Sequence, residues 1–322
     1  MSYVNGYFYG KAKVVDLSRV KTYSVKTRKS KVSAGDFAQP PRKGAGFRSF
    51  FSSLPNILRA ADLRSAAEAA ASAGRRKKAV IFMAGAHVIK CGLGPVIIEL
   101  IKKRVISCVC LNGAGVIHDF EIALQGRTSE DVASGLAAGR FGMGRETAEF
   151  INNAVKAGAS CRQGFGYAVG SRIRGKEFPH SRLSVLRGAC DHGVPVCVHV
   201  AVGTDIIHQH PSFDPAAAGK ASYADFLTLV EEIRGLNGGG VLLNFGSAVI
   251  MPEVFLKALN LARNLGSEVK DFTAVNFDMI QQYRPAQNIV CRPVLSGGKG
   301  YYIIGHHEIM LPLFAQAVVE RL

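Results

Sequence analysis

From Gly74 onward the chain repeats one pattern: a short apolar run, a small-residue turn, then a longer amphipathic stretch. KAVIFMAG (78–85) reads as a buried strand and LGPVIIELIKKR (93–104) as the helix after it. VISCVCLNGAG (105–115), VPVCVHVAVG (194–203), GGGVLLNFGSA (238–248), DFTAVNFD (271–278) and GYYIIG (300–305) read as further strands. Between them lie helical stretches at 116–126, 129–139, 145–158, 223–236 and 252–266, and another at 308–322 closes the chain. Strands that are apolar throughout, rather than alternating, belong to a sheet covered on both faces, and each intervening helix supplies a crossover. The expectation is an α/β Rossmann-like, doubly wound, mostly parallel sheet with helices on both faces, over residues 75–322. Residues 1–74 form a basic N-terminal extension.

Charge sets that extension apart. Residues 1–48 hold eleven Lys and Arg against Asp16 and Asp36, a large part of the net charge of +16. Such an arm can hold nucleic acid or an acidic partner. It lacks regular aromatic interleaving and any RNA-binding signature, so a contact with a neighbouring subunit is the favoured reading and nucleic acid the minor one. No apolar run has the roughly 20 residues of a membrane span, and MSYVNGYFYG lacks the basic-then-apolar order of a secretory signal. A cytoplasmic protein is expected. The seven cysteines contain no CxxC and are read as reduced thiols packed like small hydrophobes, with no metal site expected.

Five strand ends carry small residues: Gly85-Ala86, Gly113-Ala114-Gly115, Gly203-Thr204, Gly246-Ser247-Ala248 and Gly305. Glycine alone makes tight turns, but five on one sheet edge favour a nucleotide-type ligand approached by backbone N–H groups and helix N-termini. Asn112-Gly113-Ala114-Gly115-Val116-Ile117-His118 approaches a dinucleotide fingerprint, with His118 where the third glycine belongs. Polar residues on the same edge supply a pocket: Asp205, His208 and His210 after one strand, His306 and His307 after another, and Asp278 followed by Arg284. His118 is assigned a structural hydrogen bond. No GxSxG elbow supports triad hydrolysis.

Three stretches carry a family resemblance. NGAGVIHDFEIAL (112–124) resembles the T-G-A-N-L-I-H-D-L-x-E-A-L segment of the deoxyhypusine synthase family. FTAVNFD (272–278), with Arg284-Pro285 beyond it, resembles N-T-A-x-E-F-D, and IIGHHEIMLPLFAQAV (303–318) resembles G-D-A-x-x-x-F-P-L-L. The resemblance covers about 77–322. It implies a Rossmann-like domain binding NAD, a homotetramer with active sites at subunit interfaces, and hydride abstraction from a polyamine. On the cofactor side it implies Asn112, Gly113, Ala114, Gly115, Asp119, Gly246, Ser247, Thr273, Ala274 and Asp278, with Asp278 on ribose hydroxyls.

The amine side departs from the family. Its K-H-H falls on Met251-Pro252-Glu253, and D-G-S-x-S-G-A-R-P is shortened to DMIQQYRP. The catalytic-lysine slot falls near Pro293, leaving Lys299 as the nearest lysine downstream, and His306 replaces an aspartate. Three functions follow. The favoured one is a divergent NAD-dependent enzyme that abstracts hydride from an amine or related small molecule. His208 or His306 would be its base, and Asp205, His210, Glu253 and Arg284 would line its substrate pocket. The second is an aminobutyl transferase of the deoxyhypusine or homospermidine synthase type using Lys299. The third is a non-catalytic dinucleotide-binding or interaction protein.

Overall fold

The computed structural model describes residues 3–4, 7–8, 10–11 and 15–322, so Lys13 of the basic arm and half of the first ten residues lie outside this set. Six strands make one sheet: β1 (Val80–Ala84), β2 (Cys108–Asn112), β3 (Val196–His199), β4 (Val241–Phe245), β5 (Phe272–Asp278) and β6 (Gly298–Ile304). Their order is β3-β2-β1-β4-β5-β6, and every pairing is parallel. This is the doubly wound arrangement, whose strand order reverses between β1 and β4 and opens a crevice beyond their carboxyl ends. β1, β3 and β4 are buried at every residue, His199 and Asn244 included, as a sheet covered on both faces requires.

The principal helices are α1 (Leu58–Arg75), α2 (Gly94–Lys102), α3 (Gly113–Gln125), α4 (Arg145–Ser160), α5 (Pro215–Arg234), α6 (Ile250–Asn264) and α7 (His307–Val319). Among the described residues, no helix is long and apolar enough to cross a membrane. α6 carries Pro252 inside its first turn, where a missing N–H costs nothing, and Gly266 follows its end with φ +86°. α3 begins at Gly113, three residues before the expected start, because the Asn112 side chain accepts the Gly115 N–H and caps the turn. α5 likewise begins at Pro215, capped by Asp214, well before the expected 223.

The boundary expected at residue 74 is corrected. α1 buries Leu63, Ala66, Ala67, Ala70, Ala71 and Ala73 in the main core, so the extension ends before it. The run of alanines lacks the bulky stripe that marks an amphipathic helix, yet alanine lets α1 lie close on its neighbours. The segment 15–45, by contrast, is almost wholly exposed.

Asp119 on α3 is corrected as well. It is fully buried, and its carboxylate accepts the Ser184 hydroxyl (2.5 Å) and the N–H groups of Val185 (2.6 Å) and Leu186 (3.2 Å). It therefore fastens the helix Val185–Asp191 to α3 rather than facing a cofactor. Burial pushes its pKa up to about 6 against the opposing pull of those three donors. Asp119→Ala would leave all three unpaired in the core, and a loss of about 3 kcal/mol in denaturant-unfolding stability is expected. A loss below about 1 kcal/mol would contradict this role.

Candidate functional site at the carboxyl edge of the sheet

The crevice between β1 and β4 is built by two glycines. A Cβ on Gly85 would lie 2.4 Å from the Gly246 carbonyl oxygen, so the backbones touch there. Gly246 holds φ +65°, and a Cβ on it would lie 2.4 Å from Nε2 of His307. His307 opens α7 and packs on a stacked aromatic row in which Phe245 and Phe277 lie 4.2 Å apart. The strand pairing of Phe245 with Phe277 sets that row, and Phe314 of α7 roofs it. Beside it, Asp278 ends β5. Its Oδ1 accepts the Met279 N–H at 2.8 Å, while its Oδ2 is buried without a partner.

Unpaired buried groups gather on this edge. Among the described residues they comprise Asp278 Oδ2, His307 Nδ1, Asn244 Oδ1, Asn276 Nδ2 and His199 Nε2, while Asp205 Oδ2 and His208 Nε2 face each other at 3.8 Å and Gln163 Oε1 lies elsewhere. A folded chain ordinarily pairs such atoms, and a ligand is one way to complete them.

A row of imidazoles runs along the edge from His307 to His118. His87, on the short helix Ala86–Lys90, lies 6.1 Å from the His307 ring, and Cys91 Sγ is 3.3 Å from its Nε2. Lys90 and His118 then line a cleft of about 270 Å³ with Glu121, Glu130, Phe141 and Asp205. His118 makes the hydrogen bond expected of it, and its other ring nitrogen is left over. Its Nδ1 is 2.6 Å from the Thr128 hydroxyl, and that hydroxyl spends its one proton on Glu121. Nδ1 must therefore be the donor, which leaves Nε2 as a free base in the neutral ring. Burial, with Lys90 and His87 adding to it, lowers the His118 pKa, so the ring is neutral at pH 7.

Asp205 sits over the first turn of α3. Its carboxylate accepts the Ala114 N–H, and a Cβ on Gly113 would lie 2.1 Å from its Oδ2. Burial raises its pKa to about 6. The position on α3 where a phosphate would lie is filled by the chain's own carboxylate, which corrects the expectation that Asn112–Gly115 cradle a pyrophosphate. Asn112 is the helix cap.

The other expected residues divide by location. His208 Nδ1 accepts the N–H groups of Gly203 (3.1 Å) and Asp205 (3.2 Å), and its buried ring packs on Phe213. It stiffens the Asp205 loop and does not face the cleft as a base. His210 pairs with Ser212 in the same loop. His306 points outward beside Glu308, with its side chain 65% exposed. Ser247 caps α6 through the Met251 N–H. Glu253 and Arg284 do meet, at 3.3 Å, but on the flank of α6, where Glu253 also pairs with exposed Lys257 and with buried Asn288.

Thr273, Ala274 and Lys299 are on the wrong end of the sheet. Thr273 pairs with Lys299 near the start of β5, five residues before Asp278, or about 16 Å along an extended strand. Ala274 is buried there, and Lys299 lines a different, open hollow with Arg64, Glu68 and Asp271. Borohydride trapping with spermidine and NAD is therefore expected to leave Lys299 unlabelled, and a label on it would reverse this placement.

No protein-family model matches the sequence, and no curated protein matches it either. Solved structures do. An LOR/SDH protein of Methanococcus maripaludis S2 superposes with a TM-score of 0.50 at 14% identity, covering 81% of this chain and 69% of that one. AgrE in complex with ornithine and NAD+ gives 0.48 at 14% identity over 81% of this chain and 33% of that one. A protein assigned as a deoxyhypusine synthase of Entamoeba histolytica gives 0.47 at 9% identity, over 86% and 94%. The first shares the fold; the scores of the other two are too low to carry an argument.

Proposed function

We propose that this chain binds NAD across the crevice between Gly85 and Gly246 and abstracts hydride from a cationic amine or related small molecule. The observation that carries the reading is the concentration of unpaired buried polar atoms on the carboxyl edge, at the point where the strand order reverses. The fit of the cofactor to the residues differs between the two possible positions. The first turn of α3 is filled by Asp205 and does not suit a phosphate. The Gly85–Gly246 contact leaves main chain without side chains in the way, and the free Asp278 Oδ2 suits a ribose hydroxyl donor. A carboxylate there favours NAD over a 2′-phosphorylated cofactor.

When bound, NAD supplies the hydride acceptor. The chain's own residues would do the rest. Glu121, Glu130 and Asp205 in the cleft attract a cation, and Nε2 of His118 takes the proton released from the substrate nitrogen as the C–N bond gains double-bond character. The Thr128–Glu121 pair behind Nδ1 holds the ring in that tautomer. Lys299 has no part in this, being at the opposite end of the sheet.

Calorimetric titration with NAD and NADP tests the reading. Heat is expected with NAD, and at least tenfold weaker binding with NADP. No heat and no thermal shift at millimolar cofactor would remove it. The position of Lys299 at the amino end of the sheet, away from the crevice, favours a second reading, a non-catalytic dinucleotide-binding protein. That one predicts NAD binding without turnover of any amine in a panel of diamines and basic amino acids.

A further inference from the structure

Three of the seven cysteines meet beneath the sheet, on the side covered by α5 and α6. Cys108 and Cys110 are two residues apart on β2 and so face the same way, and Cys197 of β3 is the register partner of Cys110. The Sγ atoms of Cys108 and Cys110 are 3.9 Å apart, those of Cys108 and Cys197 4.0 Å, and all three lie within 4.8 Å of one another. At a metal–thiolate bond of about 2.3 Å, three sulfurs around a trigonal centre stand about 4.0 Å apart. Met83 of β1 is the register partner of Cys110 on its other side and belongs to the same buried cluster, so a thioether borders the thiols.

We propose that Cys108, Cys110 and Cys197 form a three-coordinate site for a soft monovalent ion, Cu(I). The donor set decides the ion. Thiolate and thioether ligands select soft metals. A closed structural zinc site wants four ligands in a tetrahedron, and among the described residues only these three metal-binding side chains converge here. Hard cations need several oxygen donors, and the one carboxylate near the thiols, Asp225, is already engaged by the N–H groups of Gly166 and Val198. Uptake of one Cu(I) releases one thiol proton to solvent, so the apolar site stays neutral with one thiolate and two thiol donors, and neither copper nor sulfur changes oxidation state. All three thiols are fully buried, so loading takes place as the chain folds or through transient opening of the sheet edge at β3. The remaining cysteines are spread elsewhere, Cys161 and Cys291 on the surface and Cys91 and Cys190 half-buried.

The test uses the full-length chain with Cys91, Cys161, Cys190 and Cys291 replaced by alanine, refolded anaerobically with Cu(I) under a competing chelator. One Cu(I) per chain is expected, with X-ray absorption showing three sulfur neighbours at about 2.3 Å. Adding Cys197→Ala should weaken uptake at least 100-fold in a chain whose circular dichroism is unchanged. A folded parent that takes up no Cu(I), a count of fewer than three sulfurs, uptake indifferent to Cys197→Ala, or tighter binding of Zn(II) would each overturn the assignment. Should Cys197→Ala fail to fold, the stoichiometry and sulfur count of the parent decide.

Discussion

His118→Gln is expected to lower the rate of NAD-dependent amine oxidation by about 10² to 10⁴-fold, the usual worth of a positioned general base. Glutamine keeps a polar side chain of similar reach, so NAD affinity and unfolding stability should stay near those of the parent. That separates loss of a base from loss of a fold. The pH profile gives an independent reading. A base must be neutral to accept a proton, and burial with Lys90 and His87 lowers the His118 pKa below 6.5. The acid limb of kcat should therefore lie below pH 6.5, with activity rising as pH increases through that lowered value and then levelling. An acid limb above pH 6.5, or full activity in His118→Gln, would assign the base elsewhere, with His307 the next imidazole on the edge.

The second large effect is expected at Gly246. With φ at +65°, any side chain incurs about 1–2 kcal/mol of backbone strain, and a Cβ there would also run into the His307 ring at 2.4 Å. Gly246→Ala should destabilise the protein by about 3 to 5 kcal/mol in denaturant unfolding and abolish NAD binding. Combining it with His307→Ala should restore part of the loss, because the collision is removed while the strain stays. A change under 1 kcal/mol in the single variant would mean that the crevice is not built on this contact. Gly85 supplies a comparison, since its φ is ordinary and only the approach to the Gly246 carbonyl forbids a side chain.

Periodicity alone placed β1 through β6 and most of the helices, because strands covered on both faces must be apolar at consecutive residues. It also placed the glycines after Ala84, Phe245 and Ile304 together, at the carboxyl ends of a parallel sheet. It misplaced α1, whose alanines bury without a bulky stripe, and it had no signal for His87, an isolated residue on a five-residue helix. The family resemblance drew Thr273 and Ala274 towards the cofactor and Lys299 towards the transferase site. Strand register moved them about 16 Å away, to the amino end.

What the sequence determined by itself is therefore the class of fold, the number of strand–helix units and the edge on which the glycine turns gather. Each of these depends on local pattern: consecutive burial, turn residues and caps. What the tertiary structure decided is which side chains share a space. His118 acquired its tautomer from Thr128 and Glu121 on neighbouring turns, and Asp205 came over Gly113 from a loop almost a hundred residues away. Asp119 was claimed by the start of another helix. Three cysteines without a metal-binding spacing were brought together by the parallel register of β2 on β3. Spacing along a chain constrains only neighbours within one element; contacts between elements are fixed by sheet order and register, which no single segment encodes.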